Sequence, residues 1–314
     1  MVISLYQPYS FSQLGRRTNQ EDCRLPDIDV PSEEQFFFVV CDGVGGCDDG
    51  EVASQSVCRG FEETLNDIDW SEPFTVGDFQ QTLSAAYNYL DRAAEKTGNR
   101  DMATTLTFVC FHGDGCLAAH IGDSRIYQIR PNAGIVYRSS DHSQVNSLVH
   151  SGIISPDDAD SYPDHSVITR YMEPSNEHEP RCMATVLQTS DIQADDYFLL
   201  CTDGVLEMVD DEQLIRIVCG KSSDEEKCRL LASLCEKSQD NNTAYLIHVA
   251  NVENDEEVDM VEAQDADAAA GKDYTEHDTI RTYHHYYMTE DVEADEPEES
   301  LTDSILHFIK KIFH

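Results

Sequence analysis

Apolar runs that end or begin on an aspartate set in a turn are the feature of this chain that most narrows its possible folds. Phe36-Phe37-Phe38-Val39-Val40 leads into Cys41-Asp42-Gly43, and Leu117-Ala118-Ala119-His120-Ile121 leads into Gly122-Asp123-Ser124-Arg125. Tyr197-Phe198-Leu199-Leu200-Cys201 leads into Thr202-Asp203-Gly204, and Asp240-Asn241-Asn242 stands just before Thr243-Ala244-Tyr245-Leu246-Ile247. Short apolar runs bounded by turn residues read as buried strands. Carboxylates at the tips of such strands can converge on one point, and converging carboxylates cannot all stay ionised without a cation. An oxygen-only donor set suits a hard ion, magnesium or manganese, rather than zinc. A carboxylate-bound metal centre is the reading these residues favour.

The rest of the pattern is that of an α+β chain. Residues 2–11 alternate as a strand. Val52, Val57, Phe61 and Leu65 recur with helical spacing after Gly50-Glu51, and residues 79–94 predict a second helix ending near Gly98. Apolar runs at 105–111 and 116–121 flank His112-Gly113-Asp114-Gly115 as a hairpin, and 125–130 continues as a third strand. Residues 143–150, 211–219 and 224–237 are predicted helices. Strands thus come in antiparallel groups and helices in separate pairs, unlike the β-α-β alternation of a doubly wound sheet.

With 314 residues, 40% of them hydrophobic, the chain can build a real core. Its formal net charge of -40 excludes nucleic acid or an anionic membrane as a general partner. The same excess also serves solubility and a solvated tail. The 11 cysteines show no CxxC spacing and no Cys-x5-Arg phosphate loop. Cys41, Cys110 and Cys201 sit in apolar runs as small hydrophobes, so a reduced, cytoplasmic chain is expected. The N-terminus lacks the pattern of a signal peptide, and no run is long enough to span a membrane.

Residues 251–300 carry about 18 acidic against about two basic residues, which predicts a disordered acidic linker and leaves 1–250 as the globular domain. Within it, Tyr283-His284-His285-Tyr286-Tyr287 reads as a weakly packed tail segment, with a docking motif or a histidine metal contact as alternatives. Residues 301–314 predict a short amphipathic helix whose apolar face is Ile305, Leu306, Phe308, Ile309, Ile312 and Phe313. Such a helix can fold back on the domain, enter a partner groove or touch a membrane surface.

Gly15-Arg16-Arg17-Thr18-Asn19-Gln20-Glu21-Asp22 places arginine beside paired carboxylates. Alone it would be a surface salt bridge, although a guanidinium fork also fits phosphate. It does not stand alone. Arg17-x-x-x-Glu21-Asp22 is followed by Asp42-Gly43-Val44-Gly45-Gly46 with Gly50-Glu51-x-Ala53-Ser54, then Thr104-Thr105-Leu106 and Gly122-Asp123-Ser124-Arg125. Asp141-His142-Ser143, Thr202-Asp203-Gly204 and Asp240-Asn241-x-Thr243 complete the series. In this order the motifs resemble the type 2C metal-dependent serine/threonine protein phosphatases, in their bacterial form, over about residues 1–250.

The resemblance implies a four-layer α-β-β-α sandwich of two antiparallel sheets flanked by helix pairs, with metals in a cleft at one sheet edge. Asp42 would bridge two ions, with the Gly43 carbonyl as a further ligand. Asp203 and Asp240 would complete one ion, and Glu21 and Asp22 would hold the other, mainly through its waters. Asp123 with Asp203 would suit a third, so two or three Mn2+ or Mg2+ ions are implied. Arg17 would hold the phosphate. The implied activity is hydrolysis of phosphoserine and phosphothreonine in proteins by a metal-activated water, reversing a serine/threonine kinase. The partners are then phosphoprotein substrates and a cognate kinase, and the chain is expected to be a monomer.

Several positions depart from the family pattern. Val44 stands where many animal members have histidine, Thr202 where serine is common, and Tyr171-Met172-Glu173 where a Leu-Gly pair is frequent. That last segment belongs to the flap expected at 142–173, so substrate choice stays open. His142 is expected to make a structural hydrogen bond. The alternatives are a non-catalytic type 2C-like binding or regulatory module and a relative that acts on a sigma-factor regulator.

Overall fold

A computed structural model describes residues 1–44, 47, 49–155, 158, 162, 167–175 and 180–253. Its strands are β1 (Val2–Leu5), β2 (Tyr9–Gln13), β3 (Cys23–Leu25), β4 (Phe37–Cys41), β5 (Leu106–His112), β6 (Gly115–Ile121), β7 (Arg125–Arg130), β8 (Gly134–Arg138), β9 (Thr185–Thr189), β10 (Tyr197–Cys201) and β11 (Asn242–Glu253). The helices are α1 (Gly50–Leu65), α2 (Val76–Thr97), α3 (Gln144–His150), α4 (Asp203–Leu206), α5 (Asp211–Val218) and α6 (Asp224–Cys235). One sheet has the order β3-β4-β5-β6-β9, and the other β1-β11-β10-β7-β8 with β2 also paired to β11. All the named pairs are antiparallel.

Three apolar clusters separate four layers, as expected. Phe61, Phe79 and Leu90 of α1 and α2 pack on Val39 and Phe108 of the first sheet. Phe38, Val109 and Phe111 of that sheet meet Phe198, Tyr245 and Ile247 of the second. Tyr127, Leu199 and Leu246 on the second sheet's outer face receive Leu214, Val218 and Leu231 from α5 and α6. Covering both faces explains why β4 is apolar at every position: Phe37, Val39 and Cys41 face helices while Phe38 and Val40 face the other sheet. Gly60 lets α1 approach α2, because a Cβ there would lie 2.4 Å from the Ala86 Cα. A capping box of Thr75 and Asp78 opens α2, and Gly98, at φ 72°, closes it.

Some elements differ from expectation. The single strand expected over residues 2–11 is two, because Pro8 between them has no N–H to donate. Both halves still pair with β11, Leu5 with Val249 and Tyr9 with Leu246. β11 runs on to Glu253, three residues past the expected domain boundary, where Val2 partners it. The expected linker beyond 253, the aromatic island at 283–287 and the helix at 301–314 lie outside the described residues. Among the described residues no helix is long and apolar enough to cross a membrane.

Candidate metal centre

Strand pairing brings the motif carboxylates to one edge. Cys23 partners Cys41 across β3 and β4, so Asp22 and Asp42, one residue further out, leave the sheet side by side. Leu106 partners Ile121, which sets Thr105 beside Gly122-Asp123. In the second sheet Cys201 partners Ala244, placing Thr202-Asp203 beside Asn242 and Thr243. Asn242 partners Gln13, so the loop after β2 carries Arg17 to the same edge.

Hydrogen bonds lock this edge. The Asp42 N–H donates to Thr105 Oγ1 at 3.0 Å, and the Asp42 carbonyl accepts from the Thr105 N–H at 2.8 Å and from Thr104 Oγ1 at 2.9 Å. Thr105 Oγ1 in turn meets Ser124 Oγ at 2.7 Å. The Gly43 N–H and Ser54 Oγ both donate to the Glu21 carbonyl. A Cβ on Gly43 would lie 2.6 Å from the Gly50 carbonyl carbon, so only glycine permits this approach of the loop to α1. The two sheets are tied where Thr202 Oγ1 donates to Asp22 Oδ2 at 3.0 Å. Asn241 accepts from the Glu21 N–H at 2.8 Å and donates to the Leu14 and Asn19 carbonyls.

Arg17 is about half exposed but tied at one nitrogen: its Nη2 lies 2.5 Å from Asp240 Oδ2. The residue expected to take phosphate is thus held by a residue expected to take metal. That contact is the first cause raising the Arg17 guanidinium. His142 makes the structural bonds expected of it. Its Nδ1 accepts from the Gly122 N–H at 3.1 Å, which leaves Nε2 to donate to Thr185 Oγ1 at 2.9 Å.

The carboxylates are crowded. Burial first, then Asp22, Asp203, Asp123 and Asp240, pushes Asp42 well above the usual carboxylate range. Burial also pushes Asp22 up to about 7, against lowering hydrogen bonds from Thr243 and Thr202 and with raising charges on Asp203 and Asp240. Asp123 is likewise pushed up to about 7 by burial, then by Asp203 and Asp141. Asp203 is raised by burial and Asp240, although a hydrogen bond with Asp42 acts the other way. Glu21 rises by burial, with Arg17 opposing.

Among the described residues no three Asp, Glu, His or Cys side chains stand close enough to cage an ion by themselves. The site nonetheless fits a hard divalent ion on two grounds. Its donors are all oxygen, and Asp22 Oδ1 and Asp203 Oδ1 lie buried without a partner.

Sequence reasoning found the carboxylates but missed what holds them, Thr105, Ser124 and Asn241, and it missed the neighbouring Arg125–Asp141 pair, whose two nitrogen–oxygen contacts are 2.6 Å each. Each lay inside a quoted motif, yet its role depends on pairing across a long stretch of chain.

Two packed sheets with a buried acidic edge flanked by arginine are an arrangement suited to a divalent ion facing an anion. The sequence profile of the protein phosphatase 2C family matches residues 16–236, and the chain belongs to that family, in its bacterial form. Protein phosphatase PhpP of Streptococcus pneumoniae is 28% identical over 214 residues, covering 65% of this chain and 80% of PhpP. The serine/threonine protein phosphatase PstP of Mycobacterium tuberculosis is 34% identical over 184 residues, 57% of this chain, which spans 33% of PstP. The crystal structure of the PstP catalytic domain in complex with two manganese ions superposes with a TM-score of 0.64 at 26% identity, covering 80% of this chain and 100% of that one. These findings do not favour the non-catalytic alternative.

Proposed function

We propose that this chain removes phosphate from phosphoserine and phosphothreonine in proteins, and that Asp42, Asp203, Asp240, Glu21, Asp22, Asp123 and the Gly43 carbonyl are its metal ligands. The observation that carries this reading is the convergence of five buried or half-buried aspartates with Arg17 at one sheet edge. Manganese or magnesium bound there would neutralise the carboxylates, offset phosphate charge and supply an activated water.

The chain's own groups do the positioning. Thr104 and Thr105 fix the Asp42 backbone, and Thr202 fixes Asp22. Arg17 offers a planar fork to the phosphoryl oxygens once it leaves Asp240. Val44 follows Gly43, so the loop offers no side-chain acid at that position, and the proton for the leaving serine or threonine oxygen comes from water. We assign a serine/threonine kinase as the opposing enzyme, a monomeric state and the cytoplasm as location; among the described residues the cysteines form no disulfide, which supports a reducing compartment.

The test is phosphate release from a phosphothreonine peptide, with manganese and with the metal chelated, beside Asp203→Asn. Manganese-dependent release that Asp203→Asn lowers by at least about 100-fold is expected. A folded, manganese-loaded protein that releases nothing would return the question to the binding-module alternative.

A further inference from the structure

Beside the metal edge, a groove of about 650 Å3 runs between α1, the C-terminal half of α2 and β3. Arg59 lines it from α1, and Arg92 and Lys96 line it from α2, four residues apart and so on one helix face. All three are exposed, and among the described residues none of their side chains has an ion pair or a hydrogen bond. Arg92 lies only over the Tyr89 ring, 5.5 Å from its centroid. Arg24, Arg125, Arg130, Arg181 and Lys227 each hold a carboxylate, whereas among the described residues Arg16, Arg216, Lys221 and Lys237 are also without an ion pair but do not gather in one groove with apolar lining. Two carboxylates also line the groove. Asp27 is engaged by Arg24 at 3.2 Å, which leaves Glu62 opposite three cations.

In a chain of net charge -40, these side chains give the groove a local excess of positive charge, set against Glu62 and against Glu63, which accepts from the Tyr89 hydroxyl. Screening over about 8 Å at physiological salt weakens the pull of the more distant acidic surface on a ligand held there. Two lining residues are neighbours of the metal edge along the chain: Cys23 follows Asp22, and Val52 belongs to the first turn of α1, whose Gly50 packs on Gly43. Asp49 Oδ2 accepts from Asn99 Nδ2 at 2.8 Å, tying the start of α1 to the segment after α2.

Resting on the phosphatase reading above, we propose that this groove binds an acidic stretch of the phosphoprotein substrate near its phosphorylated residue. Guanidinium forks at Arg59 and Arg92 match carboxylates, and Tyr89 with the arginine stems supplies apolar contact for the peptide backbone. The preference is for carboxylate-rich substrates, opposite to what the net charge of the chain alone would select.

The experiment uses the full chain and two phosphothreonine peptides that differ only in a flanking run of about six residues, glutamate in one and glutamine in the other. The glutamate peptide is expected to show a KM about fivefold lower at equal kcat. Combining Arg59→Gln, Arg92→Gln and Lys96→Gln should equalise the two peptides and leave aryl phosphate turnover unchanged, while Glu62→Gln should widen the gap. Anisotropy of a labelled, unphosphorylated glutamate peptide reads the groove without turnover. If no peptide or aryl phosphate is hydrolysed, the phosphatase reading falls and anisotropy still decides the groove. Equal KM values in the unaltered chain, or binding unchanged by the triple substitution, would overturn the proposal. So would a triple substitution that shifts the sedimentation of the chain alone, because the groove would then serve a second copy.

Discussion

Asp224 lies at the opposite end of the second sheet from Asp203, next to the start of β10, and shows how one side chain couples stability to pH. Its Oδ2 lies 2.7 Å from His248 Nδ1, and its Oδ1 accepts from Tyr197 Oη at 2.9 Å and from Lys227 Nζ at 3.2 Å. Burial alone would raise this carboxyl, but these partners outweigh burial and hold it below its ordinary value. A depressed folded-state value contributes stability above the unfolded value, about pH 4, and loses it as pH falls through the folded value. Asp224→Asn should therefore flatten the acid side of a plot of Tm against pH below about pH 4.5 and cost about 1–3 kcal/mol at neutral pH. An acid limb as steep as that of the unaltered protein would refute this account. At the same scale, Asp42, Asp123 and Asp203 were legible because each ends an apolar run. Asn241 was not, because what it does, holding Glu21 across 220 positions, exists only once β2 and β11 have paired.

Helix α2 was the most legible element, since its apolar spacing and Gly98 both act within a few residues. Thr75→Ala removes the acceptor for the Asp78 N–H and should lower stability by about 1 kcal/mol, measured by urea unfolding. Gly60→Ala should cost more, about 1–3 kcal/mol, because the added methyl meets the α2 backbone rather than a side chain that could turn aside. If Gly60→Ala proves as stable as the parent, the contact of α1 with α2 is looser than described. β3, β8 and β9 escaped the sequence reading for a physical reason. β3 has three residues, and β8 and β9 are half-exposed strands at a sheet edge, too short or too mixed in polarity to show a period.

For the molecule as a whole, crowded carboxylates mean that folding without cations works against charge repulsion. A cation that binds only the folded state adds about 2.7 kcal/mol at a hundred times its Kd. Manganese should thus raise Tm by roughly 5–10 °C, a chelator should reverse the rise, and Asp203→Asn should abolish most of it. A melting curve indifferent to manganese would count against the metal centre whatever the activity. Removing residues 254–314 should leave turnover of a small aryl phosphate within about threefold, whereas ending the chain at 250 also strips the partners of Val2, Ile3 and Ser4 and should lower Tm further. Equal melting of the two truncated chains would show that this pairing adds nothing.

The pairing of Val2 with Glu253 has a mechanical consequence. Two strands that run in opposite directions and end together separate under load as a zipper does, one rung at a time, so a pull on both ends of the domain meets little resistance at first. Unloaded, the same adjacency makes the domain a loop already nearly closed. It can be spliced into an exposed turn of another protein, or have its ends joined by a few residues and be reopened elsewhere, without moving the edge where the aspartates gather.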